Sequence, residues 1–304
     1  MSRSLKAHLL LVLITFLWGA TFIVIKNALA DASPFLFNAL RMLLATMCLA
    51  IVYCRELPKI NAAALRAGGV VGVLLCLGYE FQTTGLRLTS PSKSAFITGV
   101  SVVLVPVFLI LFWKRKVNRW TALGVAAAFF GLALMTIPAG AQALADWSSV
   151  NRGDILTFGC AVAFGLHIIF LGKATKQAPF AQIAFIQTAV AALLMSLAVP
   201  FAPSQFVHFT PRLMIAVAVT AVLCTALAFT IQSWAQQFTP PTHTALIFSL
   251  EPVFAWLTSY VVEGERLGLR VSLGALLILG GILLSELKGS VTQAADADLR
   301  PDPA

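Results

Sequence analysis

Residues 78–136 of this chain lie over residues 228–286 at a constant shift of 150 positions, without a gap. The overlay pairs Gln82 with Gln232, Thr89 with Thr239, Pro91 with Pro241, Ala95 with Ala245, Ile97 with Ile247, Gly124 with Gly274 and Gly131 with Gly281. Nearer the start, Trp18-Gly19 matches Phe164-Gly165 and Pro34-Phe35 matches Pro179-Phe180, at shifts of 146 and 145. Self-similarity over that length means one structural unit used twice. The apolar runs show what the unit is. Stretches of about 20 predominantly apolar residues, enough to cross a hydrocarbon core as a helix, occur ten times. Their expected limits are 8–30, 35–54, 67–86, 92–113, 120–138, 153–172, 179–201, 212–237, 242–263 and 269–287. Five spans fall in each copy. Because five is odd, the second copy must enter the membrane the other way up, and such inverted repeats hold a solute site at their interface near the bilayer midplane. The expected fold is therefore an all-α polytopic membrane protein of ten transmembrane helices in two inverted five-helix repeats.

The repeats are expected at 1–138 and 153–287. Between them the stretch 139–152, "AGAQALADWSSVNR", mixes small and polar residues as a linker does, and the polar tail 288–304 reads as disordered. Composition agrees with a membrane protein: 59% of the 304 residues are hydrophobic and 11% charged, against about a quarter charged in soluble domains. A net charge of +9 would suit nucleic acid if it formed one basic face. Here the Lys and Arg residues fall between apolar runs and act as topology signals. With the N-terminus in the cytoplasm, 13 lie on the cytoplasmic side and seven opposite, with Arg41 inside a span. Both termini are thus expected in the cytoplasm, and the inner membrane of a cell is the expected location. The bias comes from the first repeat alone. The first run, with "ALA" at 28–30 after it, imitates a signal peptide but is long and recurs later in the chain, so it reads as an uncleaved span. The five cysteines lie in or beside apolar runs with no CxxC spacing and read as packing residues. Neither a metal nor a cofactor is expected.

"FSLEPVFAW" at 248–256 places a carboxylate inside an apolar run. A charge at the centre of a membrane helix costs roughly 2.5–3.5 kcal/mol on insertion scales, and each Leu, Ile, Phe or Val returns about 0.3–0.6. The nine such residues between Ala245 and Val262 nearly cancel that cost. Glu251 leaves the span insertable with little margin, which makes it a functional candidate. Ser94, Thr98 and Ser101 recur at i, i+4, i+7, and Thr244, Phe248 and Glu251 hold the same positions in the second copy. Thr225, Phe229, Gln232, Ser233 and Gln236 make a third stripe, span 3 offers Glu80, Thr83, Thr84 and Arg87, and Gln82-Thr83 are the repeat mates of Gln232-Ser233. The substrate-binding candidates are Trp18, Glu80, Gln82, Thr83, Thr98, Ser101, His167, Gln232, Ser233, Trp234, Phe248 and Glu251, with spans 3, 4, 8 and 9 as the expected lining.

Plainer readings stand beside these. Ser and Thr often bond the carbonyl four residues back, and Gln serves as interhelical glue worth about 0.6 kcal/mol. Glu251 could cap the kink that Pro252 introduces. Arg41 reads as a side chain snorkelling from the outer end of span 2, with an ion pair inside the bundle as the alternative. His167 has no metal-ligand companion at i+3 or i+4. Gly124, Gly131, Gly274 and Gly281 read as close-packing positions in peripheral spans 5 and 10, which are also candidates for a homodimer contact.

The segments "FLWGATFIVIK" at 16–26, "NALRMLLA" at 38–45, "GLRLTSPSKSAFIT" at 85–98 and "SLEPVFAWLTSYVVEGERLGLRVSLGALLILGGILL" at 249–284 resemble the EamA family of the drug/metabolite transporter superfamily. The resemblance implies ten spans in two inverted halves and a secondary transporter. It further implies an exporter of small metabolites such as amino acids, related compounds or drugs, or alternatively an importer of sugar- or nucleoside-type metabolites. The first repeat departs from the pattern, with Ser101-Val102 where the second has Glu251-Pro252. Coupling through Glu251 would then be asymmetric, possible proton exchange included. The sequence lacks HExxH, GxSxG and paired carboxylates of the kind intramembrane chemistry needs, so a membrane enzyme is disfavoured; a channel is the other class weighed. The expected partners are a small-molecule substrate and the bilayer.

Overall fold

The computed structural model describes residues 2–89, 91–137, 150–202, 204–263 and 268–289. Most of the 139–152 linker, the 288–304 tail beyond residue 289, and residues 264–267 lie outside the described residues. The helices are α1 (Arg3–Ala28), α2 (Pro34–Val52), α3 (Ala62–Leu88), α4 (Pro91–Gly99), α5 (Ser101–Trp113), α6 (Arg119–Thr136), α7 (Arg152–Ala174), α8 (Phe180–Ala198), α9 (Pro211–Ala221), α10 (Ala228–Ala235), α11 (Pro241–Phe248), α12 (Glu251–Glu263) and α13 (Leu269–Leu284). Among the described residues nine stretches are long and apolar enough to cross a membrane, counting α4 with α5 and α9 with α10. The tenth crossing is α11 with α12. Large apolar side chains such as Phe130 and Leu276 stand exposed on the outside, as a lipid-facing surface requires.

Helix starts are written in local chemistry. Ser2, Asn61, Asn118 and Thr210 each cap the helix they precede through the side-chain oxygen, and Asn151 with Asp154 forms a capping box on α7. Prolines occupy the first helical positions of α2, α9 and α11, where no N–H is needed. The caps at Ser2 and Asn61 explain why α1 and α3 begin about five residues before their apolar runs do.

Two crossings break at the same place. α4 gives way to α5 at Val100, and α11 to α12 at Ser249 and Leu250; a shift of 150 superposes Gly99, Val100 and Ser101 on Ser249, Leu250 and Glu251. In the second repeat Pro252 removes an N–H and restricts the residue before it, so a helix restarts there. In the first repeat a weak helix former, Gly99, does the equivalent. The chain turns without unwinding, since Val100 N still bonds Phe96 O at 3.2 Å and Phe254 N bonds Leu250 O at 3.0 Å.

The main helix contacts cross between the repeats: α6 lies along α13, α3 on α7 and α8, and α2 on α8. Four of the glycines of α6 and α13 face each other, Gly124 against Gly281 and Gly131 against Gly274. Those faces are therefore spent within the monomer, and a homodimer through the same helices would have to use their outer apolar faces.

At the end of the bundle opposite the N-terminus, the α1–α2 loop is tied to the segment before α9. Ser33 N bonds Phe206 O at 2.9 Å and His208 N bonds Asp31 O at 2.7 Å. The Arg212 guanidinium donates to both Asp31 carboxylate oxygens at 2.8 Å, and Thr210 donates at 2.7 Å. Arg212 first, then Thr210, holds the Asp31 carboxyl down at about 2, below its ordinary 3.8. A carboxylate with a depressed folded pKa contributes stability that is complete above its unfolded value and is lost as pH falls through the folded one. Melting of the purified protein should thus steepen in acid between about pH 4 and pH 2. Asp31→Asn should lose that acid-dependent portion, and an unchanged profile in the variant would refute the assignment.

Candidate functional site

A cavity of about 160 Å³ lies between the repeats. It draws lining from span 1 (Trp18, Thr21), span 2 (Arg41), span 3 (Tyr79, Gln82, Thr83), span 4 (Ser94, Thr98, Ser101), span 6 (Phe164, His167), span 8 (Cys224, Phe229, Gln232) and span 9 (Phe248, Glu251). It reaches Ile25, Leu86 and Ser94, each within about a turn of a helix end on the side opposite the N-terminus. Toward the other side its lining stops at Ile168, Gln232 and Ala245. Spans 5, 7 and 10 do not line it.

Its walls are aromatic. The Trp18 ring packs edge-on to Phe248 at 5.0 Å and tilted on Phe229 at 6.1 Å, and Tyr79 meets Phe164 at 5.5 Å and Phe229 at 6.3 Å. Such contacts hold the rings as fixed platforms.

The least expected member is Arg41. Because α2 begins at Pro34, Arg41 stands seven residues in, about 10 Å along the axis. It is 2% exposed and does not snorkel. Its Nε donates to Thr225 Oγ1 at 2.7 Å and an Nη to the Tyr79 hydroxyl at 2.9 Å and to the Cys224 carbonyl at 3.3 Å, while the guanidinium lies 4.4 Å from the Tyr79 ring centre. No carboxylate pairs with it among the described residues. The ion pair considered as the alternative is absent there too, and the charge is held by neutral groups.

A backbone irregularity makes this possible. Between α9 and α10 the chain passes through a π-helical turn, Val222–Leu227. The wider turn redirects the Cys224 carbonyl, which accepts from Trp18 Nε1 at 2.9 Å as well as from Arg41. Thr225 Oγ1 donates five residues back, to Thr220 O at 2.9 Å, and so presents its oxygen to Arg41. Wide turns of this kind concentrate at functional sites; neither hydropathy nor motif spacing reveals one.

Glu251 is half-buried at the start of α12 and lines the cavity. Among the described residues it has no hydrogen-bond partner, so it does not cap the kink with the preceding turn. Its repeat mate Ser101 lines the same cavity. Close behind, a Cβ at Gly19 would stand 2.7 Å from the Glu251 carbonyl oxygen and 2.8 Å from Ala255 N. Glycine there lets the α1 backbone lie against α12.

Of the residues expected at the site, Trp18, Gln82, Thr83, Thr98, Ser101, His167, Gln232, Phe248 and Glu251 line the cavity, and Glu80, Ser233 and Trp234 do not. Glu80 is buried on α3 with neither carboxylate oxygen hydrogen-bonded. Ser233 accepts from Gln187 Nε2 at 3.1 Å, and Gln187 Oε1 sits 2.9 Å from His167 Nε2. With the amide nitrogen committed to Ser233, His167 donates from Nε2 in this network. Trp234 turns away, its ring tilted against that of Phe238 at 5.0 Å and beneath Lys6. Among the described residues no group of three His, Cys, Asp or Glu could hold a metal.

The model of the EamA-like transporter family matches residues 5–137 and 151–287, once per repeat. An uncharacterized transporter of Archaeoglobus fulgidus is 33% identical over 286 residues, covering 94% of this chain and 87% of its own length. The uncharacterized transporter YoaV of Bacillus subtilis is 22% identical, covering 92% of this chain and 96% of its own. A solved structure described only as "Crystal structure of protein" superposes with a TM-score of 0.72 at 18% identity, covering 94% of this chain and 98% of its own. At that identity the likeness speaks for the fold alone.

Proposed function

We propose, from the premise that this chain belongs to the EamA-like transporter family and is a multi-pass membrane transporter, that it is a secondary transporter exporting a small metabolite by alternating access. The supporting observation is the cavity itself: both repeats line it, and it holds Arg41 and Glu251 among fixed aromatic rings. A guanidinium satisfied only by neutral groups retains full attraction for an anion, and it grips a carboxylate through its planar fork. A carboxylate without a partner can receive an ammonium group or exchange a proton. Together they suit a zwitterion with an apolar body, an amino acid or close relative, in preference to the sugars and nucleosides of the importing alternative. The location we assign is the inner membrane with both termini cytoplasmic, following the distribution of Lys and Arg. Rocking of the repeats about the cavity would expose it to the two sides in turn.

The test is flux of labelled amino acids, nucleosides, sugars and cationic drugs by the purified protein in liposomes, with and without a pH gradient. Amino-acid flux is expected. No flux across such a panel would refute transport of these classes, and conductance above transporter turnover would indicate a channel. Glu251→Gln should make flux insensitive to the pH gradient while substrate still raises the melting temperature. If the variant instead keeps its pH response and loses only stability, Glu251 carries no proton.

A further inference from the structure

A second cavity, of about 400 Å³, opens at the end of the bundle that carries the N-terminus. It lies among the end of α5, the loop before α6, the end of α7 and the segment joining α10 to α11. Arg115, Lys116, Lys173 and Lys176 all line it, and no carboxylate does among the described residues. None of the four makes an ion pair there either. Lys173 is held in place by aromatic rings, its ammonium 3.6 Å from the centre of Trp113 and 5.5 Å from that of Phe170. Two further buried polar atoms on this lining have no hydrogen-bond partner, Thr239 Oγ1 and His243 Nε2. Thr239 is 2% and His243 4% exposed. His243 is fixed by its other nitrogen, Nδ1, which sits 2.8 Å from Glu286. Buried groups left without a partner cost free energy unless something binds them, and four unpaired cations around one concavity focus a positive potential.

Only a thin layer separates this cavity from the central one. Gln232 lines the central cavity and Gln236 the basic one, and Gln232 Nε2 donates to Gln236 Oε1 at 3.2 Å. Gln236 Nε2 in turn donates to the Ile168 carbonyl at 2.8 Å. Ile168 faces one cavity and Ile169 the other, and both pack with Val105 and Ala245 under Phe248. The two hollows are thus one helical turn apart, across two hydrogen bonds and a few apolar side chains.

We propose that the basic cavity is the second mouth of the transport path, closed from the centre by the Gln232–Gln236–Ile168 bridge, and that it gathers solutes bearing a carboxylate or phosphate. This rests on the transport reading for its purpose, but its physical content stands apart from flux. Once inside, such a solute would pass its negative group from the lysines to Arg41.

The test places a cysteine at Thr239, and separately at Val117 in case the buried site tolerates no change, in protein whose five native cysteines are replaced. Anionic and cationic thiosulfonates of similar size are then compared, each rate normalised to a small free thiol. The anionic reagent should react faster by about tenfold or more at low salt, less so at high salt, and Lys173→Gln with Lys176→Gln should bring the ratio near one. Equal rates in the parent overturn the anion preference. A cysteine at Ser101, treated with the same anionic reagent from the N-terminal side of sealed vesicles, reports on the bridge. Gln236→Ala should speed its modification, and an unchanged rate overturns the bridge as a gate. Liposome flux is measured separately, so loss of transport and loss of this proposal give different results.

Discussion

Arg41→Met should reduce liposome flux about a hundredfold while leaving the protein folded enough to purify. A buried guanidinium that holds a solute's carboxylate through charge-assisted hydrogen bonds contributes on the order of 3 kcal/mol to its binding, and every 1.4 kcal/mol is about tenfold. The variant also takes a donor from three groups: Thr225 Oγ1 and the Cys224 carbonyl keep their bonds with Thr220 and Trp18, while the Tyr79 hydroxyl is left without its partner. Some loss of melting temperature must therefore accompany the loss of flux, and melting alone cannot carry the test. The decisive comparison is Arg41→Lys. An ammonium keeps the charge but cannot span Thr225, Tyr79 and a solute together, so affinity should fall with folding largely retained. Measured substrate binding indistinguishable from the parent in both variants would remove Arg41 from the site and leave it a packing residue.

The second large effect is on folding. Gly281→Ala and Gly280→Ala add the same methyl group at adjacent positions of α13, with opposite expected outcomes. At Gly281 the new Cβ would lie 2.5 Å from the Gly124 carbonyl oxygen and 3.2 Å from Ala128 N, both backbone atoms that no rotamer can move. The helices must separate, at a cost of about 2 kcal/mol or more. At Gly280 the new atom meets nothing within 4 Å, and alanine should be neutral or stabilise by a few tenths of a kcal/mol up to about 1. Melting curves and size-exclusion profiles in detergent read the difference. Equal behaviour of the two variants would mean that α6 and α13 do not meet through their glycines.

The same pair shows how far the sequence could be read. Matching glycines at a shift of 150 announce close packing of spans 5 and 10, because nothing but close packing makes two glycines useful in each of two lipid-facing helices. What the repeat could not say is that the partners are each other. The polar stripes were legible in the same limited way. Helical spacing put Thr98 and Ser101 on one face, and the repeat put Glu251 on the matching face, and all three line the cavity. Ser233 and Trp234 follow their neighbour Gln232 in the chain, yet one is consumed by Gln187 and the other turns to Phe238. Residues one and two positions along a helix point in different directions.

The order and number of the crossings, their duplication, their opposed entry into the membrane and the cost of Glu251 were all settled by the residues alone, since hydropathy and periodicity act along a single helix. The environment of Arg41 was decided by tertiary structure. Its partners lie 38 to 184 positions away in the chain, and one of them is a carbonyl turned outward by a π-helical turn that leaves no mark in composition. Whether a polar side chain ends in a cavity or in a private hydrogen bond depends on how each helix is rotated against its neighbours. That rotation is set by packing between helices, which no single span encodes.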